Sequence, residues 1–137
     1  MAAVFVGLGS NIERERHITA GLNALFAEFG ALKVSTVYES EAVGFDGSPF
    51  FNLVVQFETA LPLLEVAGVL RGIETANGRH RNAKKFSPRT LDLDLLLYDD
   101  VISVEHVQIP RDEILTNAFV LLPLAEIAPD VVHPVIG

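Results

Sequence analysis

Apolar positions along the chain recur with two periods, one near 3.6 residues and one of two. Val4 to Leu8 is a short β-rich run closed by Gly9, with Ser10 and Asn11 following as candidate helix N-caps. Ile18, Leu22, Leu25, Phe26 and Phe29 then trace the stripe of an amphipathic helix over 12 to 29, stopped by Gly30. Leu32, Val34, Thr36 and Tyr38 alternate with polar neighbours as a half-buried strand. A loop containing Gly44, Asp46, Gly47 and Pro49 separates it from Phe50 to Thr59, whose density of Phe and Val predicts a more buried strand. After Pro62, residues Leu63, Val66, Ala67, Leu70 and Ile73 form a second helical stripe, ended by Asn77 and Gly78.

From Thr90 to Tyr98 the alternation is strong. Leu91, Leu93, Leu95 and Leu97 share one face, and Asp92, Asp94, Leu96 and Tyr98 share the other. Asp99 and Asp100 read as a turn, Val101 to Val107 as an added hairpin, and Phe119 to Ile127 as a short C-terminal helix before Pro129. The order strand, helix, strand, strand, helix, strand predicts an α+β fold of the ferredoxin-like split βαβ type. In it, helices pack on one face of a mainly antiparallel sheet, and the hairpin and C-terminal helix are additions. A length of 137 residues fits one domain, 1–137, with a core large enough to need no disulfide or structural metal.

Charge and composition narrow the function. A formal net charge of -8 argues against general nucleic-acid binding, which depends on neutralising many phosphates. Yet five of the ten basic residues, Arg79, Arg81, Lys84, Lys85 and Arg89, fall within eleven positions. That concentration predicts a local anion site. The chain has no Cys, which excludes thiolate metal sites and fits a reducing compartment, with the cytoplasm the simplest expectation. The apolar N-terminal run is short and lacks a basic flank, so it reads as a strand and not a signal peptide, and no run is long enough to span a membrane.

The candidate chemistry lies at Asp92 and Asp94. Two residues apart on a strand, their carboxylates point to one face at about 6.5–7 Å along the chain. Such a pair suits one or two magnesium ions that complete their shells with water and substrate phosphate oxygens. Taken alone, Asp-x-Asp is equally a solvated sheet face. The neighbouring basic segment shifts the balance, because Arg gives planar two-point contacts to phosphate and Lys a point charge. Gly7 to Asn11 lacks the Lys-Ser/Thr ending of a phosphate-binding loop and reads as a turn leading into a helix. The four His residues show no metal-ligand spacing, and no Gly-x-Ser-x-Gly nucleophile elbow occurs.

These residues resemble the 6-hydroxymethyl-7,8-dihydropterin pyrophosphokinase family nearly end to end. The matching blocks are Gly9-Ser10-Asn11, Tyr38-Glu39-Ser40, Phe50-Phe51-Asn52, Gly78 to Arg81, Pro88 to Asp94, and Phe119 to Pro129. The most specific is Pro88-Arg89-Thr90-Leu91-Asp92-Leu93-Asp94. The resemblance implies transfer of pyrophosphate from ATP to the pterin hydroxymethyl group with release of AMP, in folate synthesis, assisted by two magnesium ions held by Asp92 and Asp94. It also implies that Arg79 and Arg89 act around the reacting phosphates. Glu74, Arg81 and Phe86 match nucleotide-site or loop positions, and Arg111 matches a position that contacts ATP. Phe50 and Phe119 match the two rings that sandwich the pterin, Asn52 the amide that reads its edge, and Ser40 and Val43 the segment that completes its recognition. The implied partners are small molecules, with no nucleic acid or membrane, and a monomer is favoured.

The chain departs from the better-known members at several positions. Arg111 stands for a His, Asn82 for a Lys, Arg71 for a Gln, Glu41 and Ala42 for a Pro pair, and Phe86 for a Trp. Lys84 and Lys85 are placed to compensate electrostatically for the missing Lys. Two alternatives therefore stand beside the active enzyme: a non-catalytic pterin or nucleotide-binding relative, and a different magnesium-dependent phosphotransferase.

Overall fold

The computed structural model describes residues 1–41, 49–78, 90–104 and 107–137. In chain order they form β1 (Ala2–Ser10), α1 (Arg14–Phe29), β2 (Lys33–Val34), β3 (Tyr38–Ser40), β4 (Phe50–Thr59), α2 (Leu63–Ala76), β5 (Asp92–Tyr98), α3 (Glu113–Thr116) and α4 (Ala118–Ile127). The sheet order is β2-β4-β1-β5 with β3 also on β4, and every pairing is antiparallel. Each of α1 and α2 therefore joins two strands that run the same way with a third between them, which is the split βαβ arrangement expected.

The alternation of β1 and β4 sorts the core onto two faces. Val4, Val6 and Leu8 with Leu53, Val55 and Phe57 bury against Ile18 and Leu25 of α1 and Val66, Leu70 and Ile73 of α2. Phe5 and Val54 point the other way and are covered by Ile114, Leu124 and Ile127. Helices thus pack on both faces, and the expectation of one covered face holds only for α1 and α2. Helix α4 is apolar almost all round, and Asn117 starts it by accepting the Phe119 N–H on Oδ1 at 2.9 Å. Its inner residues Leu124 and Ile127 pack on Phe5, Val54, Leu96 and Leu97, while Leu121 and Leu122 stay exposed.

Strand β5 departs from strict alternation. Phe5 pairs with Leu97 and Val6 with Leu95, so Leu96 is the extra residue of a β-bulge. Beyond it the faces swap: Leu97 joins Leu96 under α4, and Tyr98 turns to the α2 side, where its hydroxyl donates to the Leu61 carbonyl at 2.6 Å. Burying one more Leu is worth about 1.5–3 kcal/mol, which outweighs a lost ladder hydrogen bond at about 0.5–1.5 kcal/mol.

Three further differences have local causes. Strand β1 runs through Gly9 to Ser10, and Glu13, with φ 41°, precedes α1, so Ser10 and Asn11 do not cap the helix. The strand expected over 32 to 38 is interrupted, because the Ser35 hydroxyl takes the Val54 N–H at 2.9 Å. The added hairpin is reduced, among the described residues, to one bridge in which Ser103 and Ile109 exchange N–H bonds at 2.9 and 3.0 Å. No helix among the described residues is long and apolar enough to cross a membrane.

Candidate active site

Register places the chemistry-bearing residues in one row. Gly9 pairs with Asn52 on one side and Asp92 on the other, and Gly7 pairs with Val54 and Asp94. All six belong to the face that carries Phe5 and Val54, with Phe50 two residues before Asn52. Two strand spacings separate Asn52 from Asp92, about 9.5–10 Å, and only glycine lies between them. The row is therefore a slot with an amide on one wall, a carboxylate on the other and bare backbone as its floor. Gly9 was expected to close the strand; as a strand residue it opens this floor, whereas Gly7, of equal parity, lies beneath Leu96, 3.6 Å from where its Cβ would stand.

One wall is preorganised. The Asn52 Nδ2 donates to the Ser40 hydroxyl at 2.7 Å, joining β4 to β3, and its Oδ1 hangs over Gly9, where an added Cβ would lie 3.6 Å from it. Phe50 stands beside it, 3.8 Å from the same point. Neither Phe50 nor Phe119 belongs to either core cluster; both are half-buried. Arg14 braces this wall from behind. Its guanidinium lies 3.8 Å above the Phe51 ring, 3.0 Å from Glu39 and 3.1 Å from the Pro49 carbonyl. Glu126 of α4 accepts from Thr36 N and Oγ1 at 2.8 Å each and from the Tyr38 hydroxyl at 2.9 Å, tying α4 to the β2–β3 segment.

The opposite wall is electrostatically tense. Burial, and after it the Asp92 charge, pushes the Asp94 carboxyl well above the ordinary aspartate value, with Glu74 adding to the rise and Arg111 opposing it. The Arg111 Nη2 lies 3.3 Å from Asp94 Oδ1, and its Nε is 2.7 Å from Glu113 Oε2, a charge contact and not an aligned hydrogen bond. Burial works against the Arg111 charge, but Asp94, Glu113 and Asp92 together outweigh it and raise its pKa further. Glu74 reaches over from α2 to accept the Leu93 N–H at 2.8 Å, occupying the outer edge of β5 between the two acids.

Two crowded carboxylates on one face are a donor set that suits a hard divalent cation. Among the described residues no group of three His, Cys, Asp or Glu gathers. Two protein ligands with the remaining positions left to water and phosphate is the usual arrangement for magnesium. Arg79, Arg81, Lys84, Lys85, Phe86, Arg89 and Val43 lie outside the described residues. The flanks of the basic segment do meet: a Cβ on Gly78 would be 3.7 Å from Thr90 Cγ2, just before Asp92.

The roles of Arg14 and Glu126 and the Arg111–Asp94 contact had no sequence signal, since each joins residues with no periodic relation. The glycine floor had one, a glycine at the end of a β-rich run, Gly9.

A family model described as 7,8-dihydro-6-hydroxymethylpterin-pyrophosphokinase (HPPK) matches residues 5–129. The chain is similar to the 2-amino-4-hydroxy-6-hydroxymethyldihydropteridine pyrophosphokinase of Aquifex aeolicus, at 37% identity over 98% of this chain and 86% of that one. It is also similar to the proteins of the same name from Pseudomonas aeruginosa, at 38% over 96% and 83%, and Bacillus subtilis, at 37% over 93% and 78%. In three dimensions it resembles Plasmodium falciparum HPPK-DHPS, with a TM-score of 0.76 over 100% of this chain and 42% of that one. At 14% identity this likeness speaks for the fold.

Proposed function

Because the chain belongs to the 7,8-dihydro-6-hydroxymethylpterin-pyrophosphokinase family, and so is an enzyme of folate biosynthesis, we propose that it transfers pyrophosphate from ATP to 6-hydroxymethyl-7,8-dihydropterin. The pterin hydroxymethyl oxygen attacks the β-phosphorus, the bond from that phosphorus to the oxygen it shares with the α-phosphorus breaks, and AMP leaves carrying that oxygen. The observation that carries the reading is the glycine-floored slot with Asn52 on one wall and Asp92 on the other.

Asn52 is the pterin reader: with Nδ2 engaged by Ser40, its Oδ1 accepts from the donor-rich edge of the ring. Phe50 and Phe119 clamp the ring faces, each offset stack adding about 0.5–1.5 kcal/mol beyond burial, and Val43 completes the pocket through its backbone. Asp92 and Asp94 would hold two magnesium ions, which would supply charge neutralisation on the triphosphate and lower the pKa of a bound hydroxyl. Arg79 and Arg89 steady the reacting phosphates, and Arg81, Lys84, Lys85, Phe86 and Arg111 hold the nucleotide. Glu74 fixes the β5 backbone between the acids through the Leu93 N–H. Positioning and charge neutralisation provide most of the rate, as in phosphoryl transfer generally. We place the enzyme in the cytoplasm as a monomer, which light scattering would test by returning the mass of one chain.

Incubation with hydroxymethyl-dihydropterin, ATP and magnesium is expected to release AMP. Release of ADP, or no product with a substrate that a known member of the family turns over, overturns the proposal.

A further inference from the structure

Arg111 rests against one of the two acids assigned to the metal, within 3.3 Å of Asp94 and 2.7 Å of Glu113. Its backbone N–H donates to the Leu96 carbonyl at 3.1 Å, so the residue is fastened along the edge of β5 whatever its side chain does. The side chain remains 37% exposed and Asp94 31% exposed, so the pair opens to the slot and is not sealed in the core. A guanidinium keeps its charge at any working pH. Among the described residues it lies against Asp94 and opposes the repulsion between the two acids.

We propose that Arg111 is a resident counter-ion of the acid pair, holding Asp94 in the ligand-free enzyme and releasing it as the metal-nucleotide complex enters, whereupon the guanidinium turns to the phosphates. The inference rests on the reading that Asp92 and Asp94 take the metal. Glu113 makes the exchange feasible, because the side chain keeps one anionic partner while it swings. A bare divalent ion arriving at the pair meets a unit positive charge that has no phosphate to move to. A metal already bound to a triphosphate brings that destination with it. Arg111 thus disfavours metal alone and favours the complex, coupling metal binding to nucleotide binding.

The test is a pair of binding measurements on folded protein, made at one pH for every variant. Manganese binding without nucleotide is read from the spin-resonance signal of the free ion, and binding of a non-hydrolysable ATP analogue with magnesium from calorimetry. Arg111→Met is expected to bind bare manganese about threefold to tenfold more tightly, the scale of a partly exposed charge acting on a divalent ion, and the nucleotide analogue more weakly. Arg111→Gln carries the same expectation should Arg111→Met fail to fold. Unchanged or weaker manganese binding in the folded variant overturns the inference, as does unchanged nucleotide binding. Asp94→Asn separates the two layers: if it leaves manganese binding intact, the metal reading itself fails. If it abolishes binding while the Arg111 variants change nothing, only the counter-ion role falls.

Discussion

A methyl group on Gly9 separates what the slot does for the fold from what it does for the substrate. A Cβ there would lie 3.6 Å from Asn52 Oδ1 and 3.8 Å from Phe50 Cδ1 and the Phe51 carbonyl, ordinary contact distances that force nothing to move. Gly9 is strand backbone paired on both sides, so alanine fits, and the reduced freedom of the unfolded chain favours Gly9→Ala by about 0.4–1 kcal/mol. For a chain of this size that is a rise in Tm of about 1–4 °C. The same methyl stands on the floor between Asn52 and Asp92, where the pterin ring is proposed to lie. Displacing a reactant by about 1 Å costs on the order of a hundredfold in rate, or about 2.7 kcal/mol of barrier. Thermal melting and AMP release measured on one preparation should therefore move in opposite directions, with Tm held or raised and kcat/KM down about a hundredfold. Gly21→Ala is the converse control. Its Cβ would come within 3.1 and 3.2 Å of the Leu91 methyls in the closed core between α1 and β5. Overpacking there costs about 1–3 kcal/mol, of which better helix propensity returns about 1 kcal/mol, with turnover per folded molecule kept. A folded Gly9→Ala enzyme with wild-type kcat/KM would show that the substrate does not use this floor, and the pterin role of Asn52 would fall with it.

Asp94→Asn should lower turnover by more than about a hundredfold, the upper range for losing even an outer partner of a metal, yet stabilise the metal-free fold at neutral pH. Because the folded-state pKa of Asp94 is raised, its contribution is present below the ordinary aspartate value and lost as pH rises through the raised one. Melting curves across that interval should slope downward for the wild type and less so for the variant, and a variant less stable at neutral pH contradicts the argument. Glu126 titrates in the opposite sense. Its pKa is lowered chiefly by the Thr36 N–H, so the tie it makes is present above the ordinary glutamate value and lost as pH falls through the lowered one. Glu126→Gln should remove that acid-side loss and raise KM for the pterin more than it lowers kcat, since α4 carries Phe119; an acid-side loss of stability as steep as the wild type's would refute it. Ser40→Ala deletes the partner of Asn52 Nδ2, a hydrogen bond of about 0.5–1.5 kcal/mol, which is about twofold to twelvefold in pterin KM with ATP KM unmoved.

The helices and the acid pair were legible because each is a local pattern. The stripe from Ile18 to Phe29 becomes α1, that from Leu63 to Ile73 becomes α2, and the equal parity of Asp92 and Asp94 puts both acids on one face. What escaped was either non-local or concealed by composition. Arg111 meets Asp94 across 17 positions, and Glu126 meets Thr36 across 90, separations that no period links. Gly7 and Gly9 read as the end of a strand because glycine contributes little to a sheet of its own; only pairing with β4 and β5 on both sides keeps them extended. Seven of the expected site residues, from Val43 to Arg89, lie outside the described residues.

The bulge at Leu96 is the most instructive of these, because nothing polar marks it. Leu95, Leu96 and Leu97 are identical residues, so a swap of faces among them leaves no trace in the pattern. Without the extra residue Leu97 would turn toward α2 and leave part of the surface under α4 uncovered, while Tyr98 would lose the Leu61 carbonyl it now reaches at 2.6 Å. With it, the strand divides its labour. Its first half keeps Asp92 and Asp94 beside the glycine floor, where burial of an apolar cover would block the slot, and its second half puts two successive leucines under Ile114, Leu124 and Ile127. Helix α4 is seated on that second half and carries Phe119 in its first turn. The register shift thus links the acid pair to the helix that carries Phe119, the ring proposed to stack on the pterin, within one strand of seven residues.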